Sequence, residues 1–316
     1  MRYLVTGGAG FIGSNLVEFI LKQGEDVTVL DDFSSGKREN IQPFMNNDHF
    51  TFFEGTITDP QTCAIACRNI DYVLHEAALC SVPQSIDDPM KTLEVNTTGT
   101  VNIFLAARDA GVKRVVWASS TSVYGNSPVL PNVETMPLSP LSPYAASKAA
   151  GEMYARAFSE VYGISIISLR YYNVFGKRQD PFSPYAAVIP IFVSALLKGK
   201  QPMIFGDGEQ TRDFVYIDNV VQANIKAATQ AKPGYSGQVF NIGCGKRISI
   251  NKLYRIIAEE LKCDCEPVYV APRSGDVRDS VADVRAAHDA FGYVPDIDVR
   301  EGIKRSLAWY KINAAS

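Results

Sequence analysis

The chain lacks most of the features that would remove it from the ordinary class of globular enzymes. No apolar run reaches the ~20 residues that a bilayer span requires, and the longest, around Ala186 to Leu197, is interrupted by Pro190. No membrane partner is expected. An excess of positive charge is also missing: 31 Lys and Arg are interspersed with 34 Asp and Glu, for a formal net charge of −3. A protein that grips nucleic acid through its phosphates carries a basic stripe, so nucleic acid is not an expected partner. The six cysteines (Cys63, Cys67, Cys80, Cys244, Cys263, Cys265) form no CxxC pair and have no histidine pair beside them. Neither a zinc site nor a disulfide framework is expected, no metal is assigned, and the thiols are read as reduced and mostly buried. Low-complexity tracts, long Pro/Gly/Ser linkers and internal repeats are absent. The glycines at Gly7, Gly8, Gly10 and Gly13 interrupt what would otherwise mimic the apolar region of a signal peptide, so a mature, cytoplasmic N-terminus is expected.

What is present alternates. Short β-branched runs at Tyr3 to Thr6, Val27 to Asp31, Thr51 to Glu54, Tyr72 to His75, Arg114 to Ser119 and Ser165 to Leu169 are separated by helical patterns. Ile12, Leu16 and Ile20 form one of these patterns, and Val101, Leu105 and the neighbouring alanines another. This pattern predicts an α/β fold, a Rossmann-type doubly wound parallel sheet with a smaller α/β substrate-binding lobe. Residues 1–170 form the expected nucleotide-binding domain, with some later segments returning to it, and residues 171–316 mainly the lobe. From Tyr171 onward, Pro181, Pro184, Pro190 and Pro202 punctuate short segments, until Ser249 reads as the N-cap of a helix running to Leu261.

The first strand enters Gly7-Gly8-Ala9-Gly10-Phe11-Ile12-Gly13. Gly7 permits a tight turn, Gly10 lets backbone approach a pyrophosphate, and Gly13 allows close helix packing, while the helix start offers amide donors to the anion. Asp31 ends the second strand, where a carboxylate accepts both ribose hydroxyls and repels a 2′-phosphate. The cofactor expected is therefore NAD, although Lys37 and Arg38 lie nearby. Further on come Ser119 and Ser120 at a strand end, then Ser142-Pro143-Tyr144-Ala145-Ala146-Ser147-Lys148. Ser142 as N-cap and Pro143 in the first helical position put Tyr144 in the opening turn, with Lys148 on the same face. A lysine ammonium and a positive nicotinamide ring stabilise a phenolate, which turns Tyr144 into a base. Lys148 holds the nicotinamide ribose, and Ser120 bonds the substrate hydroxyl that loses its proton.

The GxxGxxG spacing, the serine pair and the Tyr-x-x-x-Lys pair resemble the extended short-chain dehydrogenase/reductases. Leu169-Arg170-Tyr171-Tyr172-Asn173-Val174-Phe175-Gly176, Gly206 to Phe214 and Arg273-Ser274-Gly275-Asp276-Val277 follow in the order seen in the UDP-hexose 4-epimerases of that family. The likeness covers nearly the whole chain. It implies catalytic roles for Ser120, Tyr144 and Lys148. For NAD it implies contacts from Gly7, Gly10, Phe11, Ile12 and Gly13 at the glycine turn, and from Asp31, Phe33, Ser34, Ser35 and Gly36 after the second strand. Thr56 and Ile57 follow the third strand, where Thr56 stands in for the family's adenine-binding aspartate. Ala77, Ala78, Asn96, Ser119, Tyr144, Lys148 and Tyr171 complete the set.

For a UDP-sugar the same resemblance implies Ser81, Ser120, Ser122 and Tyr144 near the sugar. Asn173, Arg212 and Arg273 would lie on the diphosphate, Asp276 on the ribose, and Ala187, Val188, Phe205 and Ser280 in the remaining pocket. Dehydratases of the family carry an Asp-Glu pair, and decarboxylases a Glu, where this chain has Thr121 and Ser122. That leaves reversible 4-epimerisation. Serine rather than tyrosine at Ser280, with Arg178-Gln179-Asp180-Pro181, resembles the branch using UDP-N-acetylglucosamine and UDP-N-acetylgalactosamine, with UDP-glucose and UDP-galactose as further substrates. A UDP-glucuronate or UDP-glucose-only 4-epimerase is the alternative, and a non-catalytic NAD-binding sensor is the alternative of another class. Family members are typically homodimers, which implies pairing through the helices around Asn96 to Ala110 and Ala145 to Tyr162.

Overall fold

The computed structural model describes residues 1–180, 187–272 and 277–313. β1 (Arg2–Thr6), β2 (Asp26–Asp31), β3 (Phe50–Glu54), β4 (Tyr72–His75), β5 (Arg114–Ser120) and β6 (Ile166–Tyr171) form where the six apolar runs predict them. With Val239–Ile242 they make a seven-stranded parallel sheet in the order Val239–Ile242, β6, β5, β4, β1, β2, β3. The seventh strand escaped the sequence reading because it is only four residues long and is flanked by Gly237 and Gly243.

Successive strand residues feed opposite layers. Tyr3, Val5, Leu74, Val116 and Ile167 pack into one core, and Leu4, Val73, Val115, Trp117 and Ile166 into the other. With both faces covered, the strands read as nearly continuous apolar runs. The first layer is completed by Leu16, Val17 and Ile20 of the helix Phe11–Lys22 and by Val220 and Val221 of the helix Ile217–Gln230. The second takes Ile103, Phe104 and Ala107 of Thr100–Asp109, and Ala155 and Phe158 of Pro143–Tyr162. Val101 and Leu105, the pair that signalled the Thr100–Asp109 helix, are only partly buried at the margin of that core. The same helix continues backwards through a π-helical stretch, Glu94–Gly99, into Pro89–Leu93.

Both predicted caps form. Ser142 Oγ accepts from the Ala145 amide at 3.1 Å and Pro143 opens the Pro143–Tyr162 helix; Ser249 Oγ accepts from Lys252 at 3.2 Å and opens Ile250–Leu261. Inside, Glu152 binds Arg170 at 2.6 Å with both side chains at most 5% exposed, and also accepts from Ser119 Oγ at 2.5 Å. This knot joins β5, β6 and the Pro143–Tyr162 helix.

The chain leaves the end of β6 into three short strand pairs: Asn173–Phe175 with Phe214–Tyr216, Thr211–Arg212 with Ile248–Ser249, and Met203–Phe205 with Val268–Val270. Helices Val188–Leu197, Ile250–Leu261 and Val299–Asn313 pack together beside them. Glu18, on the outside of Phe11–Lys22, pairs with Lys22, Lys177 and Arg178, and Lys37 with Asp180 at 3.0 Å, which stitches residues 177–180 to the nucleotide side.

All six cysteines are free, but only Cys63 and Cys67 are buried. Cys244, Cys263 and Cys265 are half-buried in lobe loops and Cys80 is exposed, because these four lie on connections rather than in sheet layers. No described helix is long and apolar enough to cross a membrane.

Candidate active site

β1 and β4 are neighbours although β2 and β3 continue on the other side of β1, so the strand order reverses there. Open α/β sheets bind ligands at such a reversal, beyond the carboxyl ends of the strands. A cavity of about 510 Å3 lies at this place. Gly7, at a φ of +69°, turns the chain out of β1, and the Gly10 amide returns to the Gly7 carbonyl at 3.0 Å. A β-carbon on Gly13 would lie 2.1 Å from that carbonyl oxygen, so only glycine lets the helix start this close to the turn. Gly10 caps Phe11–Lys22 without a side-chain bond, leaving the first amides and the positive helix end to an anion. Gly7, Gly10, Phe11, Ile12 and Gly13 all line the cavity.

At the end of β2, Asp31 accepts from the Ala9 amide at 2.9 Å and the Phe33 amide at 2.8 Å, while burial raises its pKa. Asp31, Ser34, Ser35 and Ile57 lie on the cavity wall. Phe33 carries the Arg38 guanidinium 4.2 Å above its ring, Gly36 backs onto the Asp31 carboxylate, and Thr56 bonds Thr58 at 3.0 Å. The two cations that left room for a 2′-phosphate are engaged elsewhere, Lys37 by Asp180 at 3.0 Å and Arg38 by Glu54 at 2.7 Å. Asp31 faces the cavity with carboxylate chemistry alone, which suits the free ribose hydroxyls of NAD.

The other end of the cavity is lined by Ala77, Ala78, Ser119, Ser120, Tyr144, Lys148 and Tyr171. Lys148 Nζ donates to the Ala118 carbonyl at 2.7 Å and lies 5.9 Å from the centre of the Tyr144 ring. Burial pushes the Tyr144 phenol well above its ordinary value, and a hydrogen bond with Ser120 offsets this only in part. Burial likewise lowers the Lys148 ammonium, against the pull of Cys80, Glu76 and Glu152. Desolvation thus favours the neutral phenol, and a positive charge brought beside Tyr144 would counter it. Asn96 braces the wall from behind: its Oδ1 accepts from the Leu79 amide at 2.8 Å, and its Nδ2 donates to the Leu79 carbonyl at 3.0 Å and Ser147 Oγ at 3.1 Å.

A second cavity of about 290 Å3 adjoins the first across Val174, which lines both. Asn173, Ala187, Val188, Phe205 and Arg212 line it, as does Gln210. Asn173 Nδ2 donates to the Asp213 carbonyl at 3.1 Å, and Arg212 Nη1 to the Thr211 carbonyl at 2.9 Å. Asp213 accepts from the amides of Cys244, Gly245 and Ala282, with burial raising its carboxyl to about 6. Ser81 caps the helix Val82–Asp87 by accepting from Gln84. Ser122 donates its amide to Ser120 Oγ at 3.2 Å, and its own hydroxyl is buried without a partner among the described residues. Ser280 sits between Asp279, bridged to Thr211, and Val281, whose carbonyl takes the Asn132 amide. Arg273 and Asp276 lie outside the described residues.

Sequence reasoning missed several wall residues, among them Glu76, Cys80 and Gln179. Glu76 and Cys80 follow β4, and the carboxyl end of a central parallel strand was signal enough to suspect them. Gln179 lines the first cavity and its amide oxygen is buried without a partner among the described residues.

The sequence profile of the NAD dependent epimerase/dehydratase family matches residues 3–243. Over 313 residues the chain is 42% identical to the UDP-glucose 4-epimerase of Mycolicibacterium smegmatis, covering 98% of this chain and 99% of that one. The UDP-N-acetylglucosamine 4-epimerase of Methanobrevibacter ruminantium, solved with UDP-N-acetylmuramic acid, superposes with a TM-score of 0.93 at 40% identity, over 99% of this chain and 98% of that one. The Thermus thermophilus UDP-glucose 4-epimerase in complex with NAD gives 0.87 at 36%, over 98% and 99%. Glycine turn, Asp31 and the Tyr144–Lys148 wall thus agree with whole-length similarity, and the chain belongs to the NAD dependent epimerase/dehydratase family, with NAD as its cofactor.

Proposed function

We propose that this enzyme epimerises UDP-sugars reversibly at C4 through a 4-keto intermediate. Its preferred substrates on this reading are UDP-N-acetylglucosamine and UDP-N-acetylgalactosamine, with UDP-glucose and UDP-galactose also accepted. The observation that carries the proposal is one continuous wall: Ser120, Tyr144 and Lys148 share a cavity with the glycine turn and Asp31, and a second cavity containing Arg212 opens beside them. Residues 1–170, with later segments returning, hold NAD, and residues 171–316 mainly hold the sugar nucleotide.

When bound, NAD supplies a hydride acceptor and a positive ring at the Tyr144 end. Tyr144 takes the proton of the sugar 4-hydroxyl and later returns it. Ser120, beside Tyr144 on the cavity wall, holds that hydroxyl in line. Lys148, fixed by the Ala118 carbonyl, holds the nicotinamide ribose. Asn173 and Arg212 bind the diphosphate, with Arg273 as a second guanidinium and Asp276 on the uridine ribose. The keto sugar would turn over between removal of the C4 hydride and its return to the other face, because only its diphosphate end is clamped. Thr121 and Ser122 offer no carboxylate for elimination of water.

Two observations support acetylated sugars. Ser280, which lines neither cavity, is small where the resemblance implies that a tyrosine narrows the pocket, and the Gln179 oxygen, without a partner among the described residues, is an acceptor suited to an acetamido N–H. Turnover on the acetylated and plain UDP-hexose pairs tests the reading: strong UDP-galactose activity with none on the acetylated pair rejects it.

A homodimer completes the proposal. Met153, Ala157 and Val161 recur every four residues on the exposed side of Pro143–Tyr162, and Met90 and Leu93 are exposed on the adjacent Pro89–Leu93 helix. Met90 is 70% and Val161 71% exposed, a contiguous apolar face that water disfavours. Sedimentation of the wild type and Met153→Lys tests it; a monomer in both cases overturns it.

A further inference from the structure

Glu76 stands on the cavity wall with Tyr144, Lys148 and Tyr171, yet neither proton transfer nor sugar binding uses it. Its Oε1 accepts from the Tyr171 hydroxyl at 2.8 Å, and that hydroxyl accepts from Asn224 Nδ2 at 2.8 Å. A chain of three groups therefore runs from the end of β4 across β6 to the helix Ile217–Gln230 and fixes the carboxyl in place. A carboxylate in such a site is costly unless a positive charge faces it. Lys148 is one such charge. The oxidised nicotinamide ring is the second that this end of the cleft receives.

We propose that the Glu76 carboxylate, held by Tyr171 and Asn224, biases the bound nicotinamide toward its oxidised, positively charged form. The inference needs only the NAD cofactor and not the choice of sugar. Its chemistry is electrostatic: a negative charge beside the ring strengthens NAD+ binding and leaves NADH, whose ring is neutral, without the benefit. The bias favours return of the hydride to the keto sugar and so opposes accumulation of a stalled, reduced enzyme.

The bias depends on ionisation. Burial raises Glu76 to about 7, while the Tyr171 hydrogen bond and Lys148 draw it down. The groups that face it are Lys148 and Tyr144 from Pro143–Tyr162, Tyr171 from β6 and Cys80 on its own loop; the helix Ile217–Gln230 offers only neutral Asn224. The preceding His75 is pushed down to about 3 by burial and is held between Thr6 and Thr100. Burial raises Tyr144 and Tyr171 above their ordinary values, away from neutrality, and lowers Lys148. Glu76 is thus the acid that protonates as the pH falls through neutrality, and protonation removes the bias.

Titration of the full chain with NAD+ and separately with NADH, read by protein fluorescence, gives the ratio of the two affinities. At about pH 8 the wild-type ratio should exceed that of Glu76→Gln by about tenfold, and it should converge on the variant's near pH 6. An unchanged ratio in Glu76→Gln, equal weakening of both affinities, or a wild-type ratio independent of pH overturns the proposal. If Glu76→Gln does not fold, Tyr171→Phe removes one hydrogen bond to the carboxylate and should move the wild-type pH dependence upward. No movement in that variant also overturns it.

Discussion

The cofactor half of the cleft is built mainly from the carboxyl ends of one sheet, to which the helix Pro143–Tyr162 adds Tyr144 and Lys148. The glycine turn leaves β1, Asp31 to Ser35 leave β2, Glu76 to Cys80 leave β4, Ser119 and Ser120 end β5, and Tyr171 ends β6. The sugar half has no such frame: Asn173, Phe192, Phe205, Arg212 and Ile250 come from three separate strand pairs and two helices. Strand register fixes the first set to one another; tertiary packing of short pieces places the second. The difference suggests a division of labour in which the frame carries the chemistry and the separable pieces choose the substrate.

Four measurements would sharpen or break that division. Tyr144→Phe, on the frame, should keep the fold and bound NAD while kcat falls by about 10^3 to 10^4; near-normal turnover would remove the assigned base. Glu152→Ala leaves Arg170 buried and unpaired, and thermal unfolding should show a loss of about 3–5 kcal/mol. A loss below about 1 kcal/mol would show that the frame does not depend on its ionic knot.

Glu18 probes the seam between the halves. Burial raises its pKa, but bonds from Lys177, Lys22 and Arg178 prevail and hold it at about 2, below the ordinary 4.5. The stabilisation is therefore complete above pH 4.5 and is lost as pH falls through about 2. Acid unfolding of Glu18→Gln should lack this component, worth about 3 kcal/mol, and superimposable acid-unfolding curves would contradict it. The smallest effect is expected in the sugar half: Ser280→Tyr should lower kcat/KM on the acetylated pair by about tenfold while sparing the plain hexoses. Equal loss on both pairs would mean that this position does not select the sugar.

The same division explains what could be read from the chain. Six sheet strands, the glycine turn and the Ser142 and Ser249 caps each depend on a few consecutive residues, and all appear where periodicity and capping rules place them. Val239–Ile242 was hidden because its four residues acquire strand character only by pairing with β6, some seventy residues earlier. Thr100–Asp109 forms where Val101, Leu105 and the neighbouring alanines place it, while Ile103, Phe104 and Ala107 supply its buried face. Glu76 was passed over because its meaning comes from Tyr171 and Asn224, which reach it only through the folded sheet.

The stitch between Glu18 and residues 177–178, with Lys37 on Asp180, ties both flanks of Gln179 to the nucleotide side, and Gln179 lines the first cavity. Salt, which screens exposed ion pairs, would therefore loosen the cavity wall at Gln179 sooner than at the sheet ends.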